Sequence, residues 1–357
     1  MTHVISPVTN RKIRLGFIGC GRISNKHFEA LEQHLNDIEV VAVCDTVEER
    51  ATEAAQKMTA TPYTNIQEML DTENLDIVTV ATPNGLHPEH IMQVADAGIH
   101  VVTEKPMAIT LEDGIKINAY CKEKNVQLFV IHQNRLNDTI QEVWKACTSG
   151  RFGKIYMITS NVFWTRPQSY YDKDGDWHGT KDMDGGAFLT QASHYVDLMQ
   201  WLAGDTAPTN VYANIKTLAR DIETEDSGIV TFEWDNGVIG SMNMTVLTYP
   251  KNYEGSCTIL GEKGTVKIGG VAMNAIEHWE FEDQQPQDEA IRQASYETTS
   301  VYGFGHVRYY ENIINVFRGT CPPLIDGEGG LRSLKLLDAI YKSSNQNQPV
   351  TFQTETS

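Results

Sequence analysis

The sequence predicts an α/β protein in two parts: an N-terminal doubly wound parallel sheet, then an α+β domain with a large, mostly antiparallel sheet. Three observations carry this. Short apolar strands alternate with helical segments as far as Ile131. A Gly-x-Gly turn joins the first strand to the first helix. Beyond Gly150 strand follows strand through short turns such as Asp235-Asn236-Gly237 and Gly261-Glu262-Lys263-Gly264.

Lys12–Ile18 reads as a short, mostly apolar strand running into Gly19-Cys20-Gly21-Arg22-Ile23-Ser24, and Asn25–Leu35 reads as a helix. This is a G-x-G-x-x-G/A fingerprint with serine in the last place. The first glycine permits a tight turn, the second lets backbone approach a pyrophosphate, and the third position needs only a small residue. The anion would rest on the helix N-terminus, at Gly21, Arg22 and Ile23. Glu39–Asp45 is a second buried strand, ending in an acid about twenty residues after Ser24, where a Rossmann fold sets a carboxylate against ribose hydroxyls. An acid there repels a 2′-phosphate and no arginine follows it, so Asp45 selects NAD over NADP.

The alternation continues with a short helix at Ile66–Leu70, a strand at Asp76–Ala81 and a helix through His90 to Ala97. Gly98 stops that helix. Ile99–Thr103 is a strand, Leu111–Asn125 a helix and Gln127–Ile131 a strand. Gly19, Asp45, Thr82, Lys105 and His132 all fall at strand carboxyl ends, the edge where such sheets bind ligands. Lys105, in Val101-Val102-Thr103-Glu104-Lys105-Pro106, is in an expensive place for a lysine unless something there needs it. A lysine acting as base would need its pKa lowered by burial or a neighbouring positive charge; Glu104 is the group that would instead hold it charged. His87 reads as a cap on the cofactor loop and His90 as helix surface or core. No third ligand is evident near His87 and His90, which argues against a metal site.

After Arg135 the pattern changes. Ile140–Ser149 is an amphipathic helix, Lys154–Trp164 a strand and Ala187–Leu202 a helix that carries Thr190, Gln191, His194 and Asp197. Strands follow at Val211–Leu218, Gly228–Trp234, Val238–Leu247, Ser256–Leu260, Thr265–Ile268 and Glu277–Phe281. Helices near Gly305–Arg318 and Gly330–Ser343 close the chain. The domains divide at 132/133: residues 1–132 bind the dinucleotide, and residues 133–357 form the substrate and oligomerisation domain.

The bulk numbers exclude several classes. With 357 residues, 41% of them hydrophobic, the chain is long enough for two cores. A net charge of −18 argues against nucleic acid and acidic membrane surfaces as partners. No apolar run approaches a membrane span, and Met1–Lys12 lacks a signal-peptide core. Six cysteines without a C-x-x-C pair fit a reducing compartment. The expectation is a soluble, cytoplasmic protein.

Taken together, Gly19-Cys20-Gly21, Asp45, Glu104-Lys105-Pro106, and Gly185-Gly186 followed by His194 and Asp197 resemble the glucose–fructose oxidoreductase/inositol dehydrogenase (Gfo/Idh/MocA) family over about 11–342. The resemblance implies an NAD-dependent oxidoreductase whose Lys105 and His194 are the catalytic candidates. It implies a cofactor set of Gly19, Gly21, Arg22, Ile23, Asp45, Thr82, Asn84, His87, Glu104, Lys105, Gln133 and Trp177. It also implies oligomer contacts through the sheet domain, in a homotetramer built as a dimer of dimers.

One position departs from the family: the aspartate that many members carry four residues before the histidine is Thr190 here. A narrower resemblance accommodates it. The stretch from Trp164 to Asp172, Gly185-Gly186-Ala187-Phe188 with Gln191-Ala192-Ser193-His194, and Thr248-Tyr249-Pro250-Lys251-Asn252 look like the UDP-N-acetylglucosaminuronate 3-dehydrogenases of surface-polysaccharide (lipopolysaccharide) sugar pathways. That implies oxidation of a C3 hydroxyl to a ketone, which a PLP-dependent aminotransferase then uses. Lys105, Arg166, Tyr171, Gln191, His194, Lys251 and Asn252 become the substrate-binding set, the cations facing a uronate and a diphosphate. Of Lys105 and His194, one takes the hydroxyl proton and the other steadies the oxyanion, with His194 the favoured base. Two other readings compete: another sugar or inositol dehydrogenase of the same family, against which Thr190 and the 166–172 stretch speak, and an NAD-binding regulator, which would not need both Lys105 and His194.

Overall fold

The computed structural model describes residues 5–172, 177–292, 295–297 and 303–352. The chain packs into two compact units, Met1–Gln133 with Gly305–Leu334, and Asn134–Phe304 with Lys335–Ser357.

The first unit is built on a parallel sheet of β1 (Ile13–Ile18), β2 (Ile38–Cys44), β3 (Thr61–Tyr63), β4 (Ile77–Val80), β5 (His100–Thr103) and β6 (Leu128–Val130). The order is β3-β2-β1-β4-β5-β6, with every pair parallel. That is the Rossmann order, with its reversal point between β1 and β4. β4 is buried along its whole length, as its Ile-Val-Thr-Val run requires of a strand covered on both faces. The helices are α1 (Ser24–Leu31), α2 (Glu48–Met58), α3 (Ile66–Thr72), α4 (His87–Asp96) and α5 (Leu111–Glu123). Side chains cap two of them: Asn65 Oδ1 accepts from the Glu68 N–H at 3.0 Å, and Thr110 Oγ1 from the Asp113 N–H at 3.1 Å.

Two elements were not legible in the sequence. α2 buries only Ala51, Ala54, Ala55 and Met58, so its apolar stripe is made of small side chains that barely register as periodic. β3 is three residues long with Pro62 at its centre, which fits an edge strand and little else.

The second unit holds an eight-stranded sheet of β7 (Ile155–Phe163), β8 (Asn210–Lys216), β9 (Ser227–Glu233), β10 (Ile239–Thr245), β11 (Glu254–Gly261), β12 (Gly264–Gly269), β13 (Ala275–Phe281) and β14 (Val350–Thr351). Its order is β13-β12-β11-β7-β10-β9-β8-β14. All pairs are antiparallel except β7 with β10. Its helices are α6 (Asp138–Thr148), α7 (Gln168–Tyr171), α8 (Ala187–Thr190), α9 (Ser193–Leu202) and α10 (Asp288–Arg292).

One expectation needs correction. The helix expected over 187–202 is two helices. The Ala192 N–H reaches back to the Ala187 carbonyl at 3.0 Å, a five-residue step that widens the backbone between α8 and α9, so His194 sits in the first turn of a new helix. The division expected at 132/133 runs along the chain, whereas in packing α11 (Gly305–Phe317) and the start of α12 (Gly327–Gln346) return to the first unit. There the Val130 N–H donates to the Ile325 carbonyl, the Tyr309 hydroxyl donates to the Val130 carbonyl at 2.6 Å, and Phe129 bridges Asp326. These bonds cover the open edge of β6, which would otherwise present unpaired backbone groups.

Within the second unit, buried Arg135 meets buried Asp197 in a two-pronged ion pair, 2.7 Å on each prong, with the guanidinium 4.8 Å from the Trp201 ring. Losing one partner strands a buried charge. Arg135→Met is expected to destabilise the fold by about 3–5 kcal/mol, and Arg135→Met with Asp197→Leu to recover most of that. Urea unfolding followed by tryptophan fluorescence reads both.

Candidate active site

At the ligand edge of the first unit, the turn after β1 is held from both sides. Gly19 has φ +94°, and a Cβ there would stand 2.6 Å from the Ala81 carbonyl oxygen, so only glycine fits. The Gly19 N–H donates to the Cys44 carbonyl at 2.8 Å, and the Ser24 hydroxyl donates to the Gly21 carbonyl at 2.6 Å. A Cβ at Gly21 would meet nothing within 4 Å, so the backbone there is open to a ligand at the N-terminus of α1. Arg22 is exposed and Ile23 half-buried beside it. Asp45, at the end of β2, accepts the Cys20 N–H at 2.8 Å and the Val47 N–H at 2.9 Å. Its carboxylate therefore pins the glycine turn. Turn, helix terminus and acid fit a dinucleotide.

The loops after β4 and β5 are tied together by His87. Its Nδ1 lies 2.8 Å from the Pro106 carbonyl and its Nε2 2.9 Å from the Thr82 carbonyl, and the ring is fully buried. Burial pushes the imidazole toward its neutral form, while two carbonyls that only N–H groups can satisfy pull the other way. His87 thus braces the Thr82 and Lys105 loops from behind. His90 Nδ1 meets the Thr82 hydroxyl at 3.0 Å, so it supports the same loop. Asn84 and Gln133 are buried at this edge and Lys105 is half-buried.

Glu104 is buried too. Burial disfavours its charge, but hydrogen bonds from His27 and His306 prevail and hold it well below the usual carboxylate range. The His27 Nε2 contact is 2.9 Å and the His306 Nε2 contact 3.4 Å, both to Oε1, while Oε2 accepts the Lys105 N–H at 3.1 Å. Among the described residues, His27, Glu104 and His306 are the one group whose metal-ligand atoms gather, within 4.8 Å of one another. Their spacings are those of donors on a shared carboxylate. Sequence reasoning missed His27 and His306, which lie on helices remote in the chain and carry no motif.

In the second unit, Gly186 has φ +118°, and its Cβ would lie 2.5 Å from the Tyr341 hydroxyl and 2.6 Å from Glu225 Oε2. The Gly-Gly pair therefore lets the start of α8 close onto the buried Glu225, whose Oε1 accepts the Phe188 N–H and the Tyr341 hydroxyl, both at 2.8 Å. Glu225 was also missed. Thr190 Oγ1 stands 2.9 Å from the Gly186 carbonyl and in close contact with Gln191 Oε1. Gln191 and His194 are both buried.

A separate group gathers Arg166, Asn252 and a cluster of aromatic rings. The Arg166 guanidinium donates to the Thr165 carbonyl at 2.8 Å and lies 5.3 Å from the Trp164 ring and 5.4 Å from Tyr170. Asn252 Oδ1 accepts the Thr165 N–H at 2.8 Å and lies 3.4 Å from Arg166 Nη1. Tyr171 is buried, which pushes its phenol well above the ordinary range, and Tyr170 packs on it. Trp177 stacks on His178 at 3.8 Å, and His178 meets Tyr170. Lys251 is exposed on the neighbouring turn.

Comparison with known proteins decides the family. Residues 13–132 match the model described as "Oxidoreductase family, NAD-binding Rossmann fold", and residues 145–352 match its "C-terminal alpha/beta domain". The chain belongs to the Gfo/Idh/MocA oxidoreductase family. Its first unit carries the NAD-binding Rossmann sheet of that family, and the protein is an NAD-dependent oxidoreductase. The WlbA dehydrogenase of Bordetella pertussis, solved with NADH and UDP-GlcNAcA, is 53% identical with a TM-score of 0.93, the match covering 98% of this chain and 100% of that one. The WlbA enzyme of Chromobacterium violaceum, with the same two ligands, is 48% identical with a TM-score of 0.93 over 99% of each chain. Myo-inositol 2-dehydrogenase of Thermotoga maritima is 25% identical over 96% of this chain and 99% of its own.

Glu225 supplies a pH test of this Gfo/Idh/MocA site. Burial raises its carboxyl to about 7. A raised carboxyl binds its proton more tightly folded than unfolded, so its stabilisation is full below the unfolded value and is lost as pH rises toward 7. Between pH 5 and 8 the parent is expected to lose roughly 2–3 kcal/mol relative to Glu225→Gln, measured by denaturant unfolding at each pH.

Proposed function

We propose that this protein oxidises the C3 hydroxyl of UDP-N-acetyl-D-glucosaminuronic acid to the 3-keto sugar, with NAD as hydride acceptor. The observation that supports this most is the likeness, over nearly the whole chain, to two WlbA dehydrogenases solved with NADH and UDP-GlcNAcA. Several residues quoted for the narrower resemblance also lie beside one another in the second unit: Arg166 next to Asn252 and the Trp164 ring, and Thr190 against Gln191.

NAD, when bound, accepts a hydride from the carbinol carbon. The chain's part is to hold it and to handle the proton. Gly19, Gly21, Arg22 and Ile23 take the pyrophosphate, and Asp45 the ribose. Thr82, Asn84, Glu104, Lys105, Gln133 and Trp177 complete the set, with His87 bracing the loops. His194 removes the hydroxyl proton, and Lys105 stabilises the oxyanion that develops as hydride leaves. Arg166, Tyr171, Gln191, Lys251 and Asn252 orient the nucleotide sugar; the cations meet its uronate and diphosphate, which an overall acidic protein must do locally. Within this reading the 3-keto product passes to a PLP-dependent aminotransferase in surface-polysaccharide synthesis. The location is the cytoplasm, which the six free thiols fit.

Lys105→Ala and His194→Asn are each expected to lower turnover of UDP-N-acetylglucosaminuronate roughly 10²–10⁴-fold, measured as the rate of 3-keto sugar formation. A 2-oxo acid or coupled aminotransferase is added to regenerate any bound NAD. Turnover within about tenfold of the parent in both variants would remove them from the mechanism. Activity on inositol or free glucose, with none on the UDP-uronate, would replace the substrate assignment.

We also infer a homotetramer, a dimer of dimers, assembled through the second sheet. One face of that sheet packs on its own unit through Ile158, Val162, Val230 and Met242, while the opposite face carries exposed Tyr212, Ile229 and Ile239 with half-buried Met157. An exposed apolar cluster of this kind on an otherwise polar sheet face fits a covered interface. Ile229→Glu together with Ile239→Glu is expected to shift the assembly from four copies toward two or one in light scattering after size exclusion. An unchanged tetramer would move the interface elsewhere.

A further inference from the structure

In this acidic chain Arg11, Arg14, Arg135, Arg151 and Arg318 each hold a carboxylate. Arg166 and Arg220, both half-buried in the second unit, are held by backbone oxygen instead. Arg166 Nη1 donates to the Thr165 carbonyl at 2.8 Å, and Arg220 Nε donates to the Arg166 carbonyl at 2.7 Å. Among the described residues neither guanidinium has a carboxylate partner, and Arg166 Nε and Nη2 and both Nη groups of Arg220 meet no acceptor.

The backbone that carries the pair is fixed from two sides. The Gln168 side-chain amide donates to the Asp221 carbonyl at 3.1 Å, and its oxygen accepts the Asp221 N–H at 2.9 Å. Asp226, fully buried, accepts the Leu218 N–H at 2.9 Å, the Ala219 N–H at 2.8 Å and the Arg220 N–H at 2.9 Å. A buried carboxylate committed to one surface loop is costly unless that loop has to keep its shape. Both charges also act on one phenol. Burial is the largest effect on Tyr171 and raises it, while Arg166 and Arg220 act on it in the opposite sense. Asp184, which acts with burial, accepts the Gly179 N–H at 2.8 Å. Two like charges fixed near one group repel, and an arriving anion removes that cost.

We propose that Arg220 is a further substrate-binding residue, which with Arg166 forms a two-guanidinium grip for the diphosphate of the nucleotide sugar. This rests on the substrate reading above and deepens it, because no motif in the sequence marks Arg220. Two guanidiniums balance the charge of a diphosphate, and their planar N–H forks match pairs of phosphate oxygens. A uronate carboxylate carries one charge and fills one fork.

The probe is UDP, which has the diphosphate and no sugar acid, titrated calorimetrically into the full-length protein with its NAD site saturated. Arg220→Gln is expected to weaken UDP at least about tenfold, as loss of one charge-assisted contact requires. Arg220→Lys should recover part of the loss, since an ammonium restores the charge without the fork. In turnover of the UDP-uronate, Arg220→Gln should raise KM at least about tenfold with kcat within about threefold, the mark of binding shared by ground and transition states.

A smaller loss of UDP affinity in Arg220→Gln overturns the proposal. A loss seen with the UDP-uronate and not with UDP overturns it too, and gives Arg220 to the carboxylate. Should Arg220→Gln not fold, phenylglyoxal labelling of the parent, mapped by peptide mass spectrometry, decides the matter: UDP is expected to protect Arg166 and Arg220, and equal labelling of Arg220 with and without UDP overturns the grip. UDP binding needs no turnover. A parent that binds UDP through Arg220 yet leaves the UDP-uronate unoxidised sinks the catalytic reading and upholds the grip.

Discussion

The ligand edge of the first unit depends on one buried carboxylate. An ion of this size away from water costs several kcal/mol unless donors replace its hydration. Glu104 obtains them from three directions: α1 through His27, α11 through His306, and its own strand end through the Lys105 N–H. The helix that begins at the glycine turn, the segment that returns late in the chain and the strand end bearing the lysine are therefore joined at one atom pair. The return of Gly305–Leu334 to this unit follows the same logic, since it brings His306 and Tyr310 and also closes the edge of β6.

What was legible in the sequence is what local chemistry enforces. Gly19 must be glycine because Ala81 lies against it, and an acid at the end of β2 shows itself at position 45 because the strand before it is continuous and apolar. The alternation of strands and helices gave the parallel sheet, and the hairpin turns gave the antiparallel one. What was not legible is set by tertiary partners. The apolar stripe of α2 is alanine. The step between α8 and α9 is a single long backbone hydrogen bond that periodicity cannot register. His27 and His306 are separated by most of the chain, and only folding makes them neighbours of Glu104. At the candidate site, the glycine turn, Asp45, Lys105 and His194 could be named, but the groups that brace them could not. His87 was read as a cap on the cofactor loop; its two carbonyl partners, those of Thr82 and Pro106, set it behind the loops after β4 and β5.

The two buried glutamates show why donors and not burial alone decide charge. Desolvation acts on both in the same direction, toward the neutral acid. Glu104 faces two imidazole N–H groups and a backbone amide, and donors of that kind favour the anion strongly enough to reverse the effect of burial. Glu225 has the amides of Phe188, Ala187 and its own residue with the Tyr341 hydroxyl, all neutral donors and none an imidazole, and for it burial prevails, raising the carboxyl to about 7. Tyr341 is in turn held far from ionising, by burial first and then by the charge of Glu225, so it remains a donor. The first carboxylate is consequently a fixed charge across the neutral range. The second, at the glycine pair where α8 begins, is raised by burial to about 7, so burial and donors of different kinds set two buried glutamates on opposite sides of their ordinary value.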